Sequence, residues 1–236
     1  MDFCYTFRMI KLIIFDWDDV ITIGAIKGYF ACYRKAINGV GVSLSPEEEK
    51  KRILAKWGKS FKTEIEELLI EKPELVDQAC EIYYQEFWGN TFVDALKLVP
   101  GVNETLLQLK DKYILAVATG NDQRMLKERI IPKFNIPSVF SQIVTSHDIA
   151  DQEKTKPHPY MLELIMKKQH VTPAETVMVG DAKTDVLMAR NAKVIPIVVL
   201  SGHLSRLEAE ELEVKNIIDD ATQIETALAE IDSTSQ

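Results

Sequence analysis

Cysteine is scarce. Cys4, Cys32 and Cys80 are the only three in 236 residues, far apart and with no paired spacing. That excludes a disulfide framework and a thiolate zinc cluster, and it fits free thiols in a reducing compartment. The four histidines, His147, His158, His170 and His203, show no HExxH or comparable ligand spacing. Positive charge is also short, with 28 Lys and Arg against 36 Asp and Glu and a formal net charge of -8. This balance argues against a broad nucleic-acid or anionic-membrane surface, but a local lysine and a metal can still recruit a small anion. No apolar run is long enough to span a bilayer. The leading MDFCYTFRMIKLIIFD is interrupted by Asp16 and lacks a signal peptide's processing site. The expectation is a cytoplasmic monomer or homodimer acting on a small metabolite, with no nucleic-acid or membrane partner. Met9 is a candidate start, since the first strand needs nothing before it. Internal repeats and low-complexity segments are lacking too.

The composition, 46% hydrophobic and 27% charged, is that of a soluble globular protein with room for a core and a smaller domain. Lys11–Phe15 (KLIIF) is an apolar, β-branched run that reads as a buried strand. From Ile23 onward the pattern turns helical, over Ile23 to about Gly39, from Ser45 to near Gly58, Thr63–Ile70 and Pro73–Phe87. Ser45 is the cap of the second of these, with Pro46 at the first position and Glu48 three residues after the cap. Residues 23–97 hold no convincing strand and form the candidate second domain. Trp57, Phe61, Tyr83, Tyr84, Phe87 and Trp88 supply its bulk.

Strand and helix then alternate. Helix Pro100–Leu109 precedes strand Tyr113–Ala118, helix Asp122–Ile130 precedes strand Phe140–Thr145, and helix Tyr160–Gln169 precedes strand Thr176–Val179. Helix Asp185–Arg190, strand Val194–Leu200 and helix Glu225–Ile231 follow. The alternation indicates an α/β fold with a parallel, Rossmann-like sheet, residues 9–22 and 98–236, carrying the helical insert 23–97. The acidic runs Glu47–Arg52 and Glu208–Glu213 read as solvated helix faces.

Three of these apolar strands stop at a polar cluster: Asp16-Trp-Asp18, Thr119-Gly120-Asn121, and Gly180-Asp181 with Asp185 beyond. Such ends in one parallel sheet share an edge, where these folds place their sites. Crowded carboxylates repel unless a cation joins them, and oxygen ligands without cysteine favour Mg²⁺. Asp16 can attack a phosphoryl group and form an aspartyl-phosphate. Asp18 can protonate the leaving oxygen and then activate the water that clears the intermediate. Thr119, Lys156 and backbone N–H groups near Gly120 and Asn121 can bind the phosphoryl oxygens.

With these motifs the sequence resembles the haloacid-dehalogenase-like superfamily, in its phosphoglycolate-phosphatase-like branch with a helical cap. The motifs are FDWDD at Phe15–Asp19, ATGN at Ala118–Asn121, KPHP at Lys156–Pro159 and VGDAKTD at Val179–Asp185, in the family's order. The resemblance implies a Mg²⁺-dependent phosphomonoester hydrolase. It implies Asp16 as nucleophile, Asp18 as general acid/base, Thr119 and Lys156 on phosphate, and Asp16, Asp181 and the backbone carbonyl of Asp18 on the metal. Asp185 is implied as a supporting, outer-shell group, and the cap as the element that closes over the substrate. Lys27, Lys59 and Lys62 are the cap cations to watch for substrate contacts. Asp19 and Lys193 stand where the family usually has Gly, and Ala182 where Ser or Thr is common. The alternatives are a phosphomutase of sugar phosphates and a non-catalytic interaction protein of the same fold. The second should have lost one of the four motifs, and none is lost.

Overall fold

The computed structural model describes residues 10–56 and 60–233. Cys4, the Met9 start, Trp57 and Lys59 lie outside the described residues. The chain divides into two compact units, one built from the residues up to Ile23 and those from Leu98 onward, the other from Gly24–Lys97.

The strands are, in chain order, β1 (Leu12–Phe15), β2 (Thr22–Ile23), β3 (Lys97–Leu98), β4 (Ile114–Thr119), β5 (Phe140–Thr145), β6 (Thr176–Gly180), β7 (Ile195–Val199) and β8 (Asn216–Ile218). Six of them make one sheet in the order β5-β4-β1-β6-β7-β8. Every pairing in it is parallel. Leu12, Ile13, Ile14 and Phe15 are all fully buried, as expected of a central strand covered on both faces. From β1 the chain moves out through β4 to β5, then crosses to the other side for β6, β7 and β8. The direction of winding therefore reverses at β1, and a crevice opens at the carboxyl ends of β1 and its neighbours. Register brings the polar ends together: Phe15 lies opposite both Val117 and Val179, so Asp16, Thr119 and Asp181 leave the sheet at the same edge.

Helices cover this sheet with the residues their spacing indicates. Tyr160–Gln169 buries Met161, Leu162, Ile165 and Met166 in a cluster with Leu12, Ile14 and Ala116. Helix Lys183–Asn191 is followed by Ala192 and then Lys193, whose φ is 60°, and Val194 N–H turns back to Ala189 O at 2.8 Å. The family's glycine position thus does require left-handed backbone, and lysine holds it at a cost of about 1 kcal/mol.

Among its described residues the second unit is helical, with Ala25–Gly39, Pro46–Ala55, Phe61–Leu68, Val76–Trp88 and Thr91–Ala95 and a short turn at Pro73–Leu75. The first helix begins at Ala25, two residues later than its pattern suggests. Gly24 precedes it at φ 99°, and a Cβ there would lie 2.6 Å from Ala95 O. Ser45 caps the second helix as read, accepting from Glu48 N–H at 3.2 Å. Tyr83 is the centre of the aromatic packing, 4.6 Å from the Tyr33 ring and 4.9 Å from Phe61. Tyr84, expected among the core residues, is 53% exposed. The run Glu47–Arg52 is not a fully solvated face either. Glu49 is buried and receives both prongs of the Arg34 guanidinium, at 2.8 and 3.0 Å, which is what permits a carboxylate there.

Candidate active site

Asp16 is the first residue past β1, and its N–H still bonds Val179 O at 2.8 Å, so the sheet itself sets its position. Lys156 reaches it from the loop before helix Tyr160–Gln169. Its ammonium lies 2.8 Å from Asp16 Oδ1 and 2.7 Å from Asp185 Oδ1, with only 11% of the side chain exposed. Asp185 also accepts from Ala182 N–H at 3.1 Å, fixing the start of its own helix.

Asp18 has different company. Asn121 Nδ2 donates to both of its carboxylate oxygens, at 3.0 and 3.2 Å. The Asn121 backbone N–H goes to Thr119 Oγ1 at 3.2 Å, and its Oδ1 accepts from Asp122 N–H at 2.8 Å. Thr119 is buried at the end of β4, and Gly120 is exposed between the two.

Asp181 is held by a segment that sequence reasoning passed over, the four residues after Leu200. His203 N–H donates to Asp181 Oδ2 at 2.9 Å, and Leu204 N–H to Asp181 O at 2.9 Å. Gly202 packs so closely on this carboxylate that a Cβ would lie 2.0 Å from Oδ2. Ser201 Oγ donates to Asp19 O at 2.6 Å. Asp19 itself sits at φ 57°, left-handed backbone at a position where the family usually has Gly, and Asp is among the few residues that tolerate it. One signal could have flagged the segment. Ser201-Gly202-His203 follows an apolar strand just as the other three polar clusters do.

The sheet edge therefore brings together Asp16, Asp18, Thr119, Gly120, Asn121, Lys156, Asp181 and Asp185, all within the first unit. Lys27 and Lys62 belong to the second. Lys27 is exposed, and Lys62 is paired to Asp77 at 2.9 Å.

The model of the family described as "Hydrolase: haloacid dehalogenase-like hydrolase" matches residues 10–193, most of the chain. The protein belongs to the haloacid dehalogenase-like hydrolases. Among curated relatives, the phosphoglycolate phosphatase of Haemophilus influenzae strain 86-028NP is 29% identical over 60% of this chain. The match spans 62% of that relative's own length. The protein described as "Probable phosphatase IndB" of Dickeya dadantii is 29% identical over 92% of both chains. Among solved structures, a hydrolase of the superfamily's subfamily IA from Geobacter sulfurreducens superposes with a TM-score of 0.70. It is 23% identical and covers 93% of this chain and 96% of its own. A haloacid dehalogenase-like family protein from Streptococcus pneumoniae gives 0.73 at 17% identity, over 92% and 97%. Both share the sheet and the helical insert as a fold.

In this haloacid dehalogenase-like chain the carboxylates outnumber the cations at the edge. Oxygens of Asp16, Asp181 and Asp185 lie within 4.8 Å of one another, and Lys156 pairs with two of the three. Asp19, Asp181 and His203 form an overlapping group. Burial, then the charges of Asp185 and Asp16, push Asp181 up to about 8. Burial, then Asp16 and Asp19, push Asp18 to about 8 despite the Asn121 hydrogen bond. Lys156 is raised, because its two carboxylate partners outweigh its own desolvation. An all-oxygen cluster short of positive charge fits a hard divalent cation, which Asp16, Asp181 and Asp185 could hold.

This crowding has a measurable consequence. In the unfolded chain an aspartate gives up its proton near about 3.9. In the folded chain Asp18 and Asp181 keep theirs up to about 8. Between those values the folded state binds more protons, so stability falls as pH rises, and the loss is complete above the folded pKa. Glu175, held down to about 2 by Lys11 and Thr172, acts below this window. The melting temperature in chelator should therefore fall from about pH 5 to about pH 8, and millimolar Mg²⁺ should raise it more at the upper end. Fluorimetric melts across that range check this. A Mg²⁺ increment that does not change with pH rejects a cation bound by these carboxylates.

Proposed function

We propose that the protein is a Mg²⁺-dependent phosphatase that hydrolyses a small phosphate monoester through an aspartyl-phosphate on Asp16. One observation carries the reading: two aspartates two residues apart have opposite surroundings. Asp16 is clamped by a lysine ammonium, which fixes its carboxylate and offsets charge beside the attacking oxygen. Asp18 faces an amide and is pushed up to about 8, which lets it carry a proton at neutral pH.

In the first half-reaction an Asp16 oxygen bonds to phosphorus as the bond to the ester oxygen breaks. The electron pair goes to that oxygen, and the Asp18 proton neutralises it. In the second half, Asp18 takes a proton from water as the water oxygen attacks phosphorus, which releases phosphate and restores Asp16. Lys156 and the Thr119 hydroxyl, with N–H groups around Gly120, balance charge on the non-bridging oxygens. Asp16, Asp181 and Asp185 would hold a divalent cation, which would supply further positive charge at the site.

None of these groups reads the leaving alcohol. The helical unit, inserted between the strand of Asp16 and the strand of Thr119, is assigned that task, with the exposed Lys27 its candidate cation and Lys62 already engaged by Asp77. The relatives named phosphoglycolate phosphatases put a small phosphorylated carboxylate first among substrates to test, followed by sugar phosphates and nucleoside monophosphates. The test is inorganic phosphate release by the full chain from such a panel, with Mg²⁺ and with chelator. Mg²⁺-dependent release from at least one ester is expected. Transfer between sugar positions without free phosphate replaces the reading with a mutase. No reaction on any member sinks it.

A further inference from the structure

The geometry points to Asn121 as the residue that aims the Asp18 carboxyl at the leaving oxygen, a positioning role distinct from the phosphate contact its motif suggests. The inference rests on the reading of Asp18 as the general acid, and it deepens that reading.

The orientation of Asn121 follows from its neighbours. It is 2% exposed, so its amide must find partners within the protein. Asp122 N–H points at one end of the amide at 2.8 Å, and a donor there demands an oxygen. The other end is then the NH₂, and it faces Asp18. The backbone reinforces this arrangement. Asn121 N–H is tied to Thr119 Oγ1, while the Asp122 side chain accepts from Met125 N–H at 2.9 Å and anchors the following turn. The amide is thus fixed from behind, on the end of β4, and presents its NH₂ to both oxygens of the Asp18 carboxylate.

Asp18 needs such a fixture. It lies past the end of β1, where a backbone bridge to Thr22 places the main chain and the carboxyl is aimed by its side-chain contacts. Lys156, the one cation of the cluster, pairs with Asp16 and Asp185 instead. A carboxyl must meet the departing oxygen within hydrogen-bond reach to transfer its proton in the transition state, and a misplacement of about 1 Å can cost about a hundredfold. Asn121 supplies the orientation without adding charge to the site.

The test compares N121A, D18N and the double variant N121A/D18N on phenyl phosphate and p-nitrophenyl phosphate, reading kcat/KM, which covers every step up to departure of the alcohol. Phenolate is the poorer leaving group and needs the proton more. N121A should lose about 10- to 100-fold on phenyl phosphate and far less on p-nitrophenyl phosphate. In the D18N background the same change should cost almost nothing, because the group it aims is already gone. D18N should show the same leaving-group bias, more steeply. A loss in N121A that is equal on the two esters, or that persists in full in the D18N background, overturns the positioning role and leaves Asp18 as the acid. A D18N variant with no leaving-group bias removes the acid role, and the inference with it. Circular dichroism monitors folding, and if N121A does not fold, N121S carries the same comparison.

Discussion

D16N should abolish turnover, with kcat/KM falling by at least about 10³-fold on every substrate the wild type accepts. An amide is a poor nucleophile, and no other described carboxylate leaves the central strand of the sheet at that level. The fold should survive. The Asp16 backbone is fixed by the Val179 hydrogen bond, and asparagine has the same shape, so the circular dichroism spectrum should stay native. Quenching wild-type enzyme with radiolabelled substrate in acid should trap label on the protein, and D16N should trap none. Residual activity within tenfold of wild type removes Asp16 from the mechanism.

K156M is expected to strike stability as hard as activity. The ammonium is buried between Asp16 and Asp185, and removing it leaves two desolvated carboxylates without their partner. Breaking a buried pair from one side costs about 3–5 kcal/mol. Lys156 is itself raised, so its contribution is present below its ordinary pKa and lost only at still higher pH. Its own charge is therefore constant through the neutral range, and any pH dependence of the deficit comes from the carboxylates it leaves unpaired. Urea unfolding of K156M should show a lower midpoint than wild type, a deficit that grows from about pH 5 to about pH 8, and partial recovery with Mg²⁺. An unchanged midpoint at both ends of that range shows that the carboxylates are satisfied by something other than the lysine.

What could be read before any coordinates follows from how directly each feature depends on neighbours along the chain. A run of buried apolar residues ending in a carboxylate is local, and β1, β4 and β6 were visible for that reason. The shared edge followed from parallelism, which alternating strands and helices imply. The spatial order β5-β4-β1-β6-β7-β8 was beyond reach, because nothing in a strand's own residues says which strand lies beside it. The Asn121–Asp18 contact failed on the same ground: its partners are 103 positions apart and meet only because β1 and β4 are neighbours. Gly202 is a harder case. Its role is to have no side chain beside Asp181, and a glycine after a strand looks like any turn. Glu49 was misread because a charged run on a helix is ordinarily solvated, and the arginine that permits its burial is fifteen positions back. β8 spans three residues, too short for any period to register. Asp19 and Lys193 were noted as standing where the family usually has Gly, and both adopt left-handed backbone.

The central place of β1 bears on how the molecule is born. Leu12–Phe15 leaves the ribosome well ahead of its pairing partners, which begin at Ile114 on one side and Thr176 on the other. Until those arrive, four consecutive apolar residues have two open edges, the condition under which nascent chains stick to one another or to a chaperone. The helical segment Gly24–Lys97 emerges during that wait and can pack on its own aromatic centre. The sheet must then close over long stretches of chain, a slow step for any fold rich in distant contacts. Asp16 meets Lys156 late, and Asp181 meets His203 later still, so a half-made chain holds the first aspartate of the site but not the lysine or the loop that would put it to use.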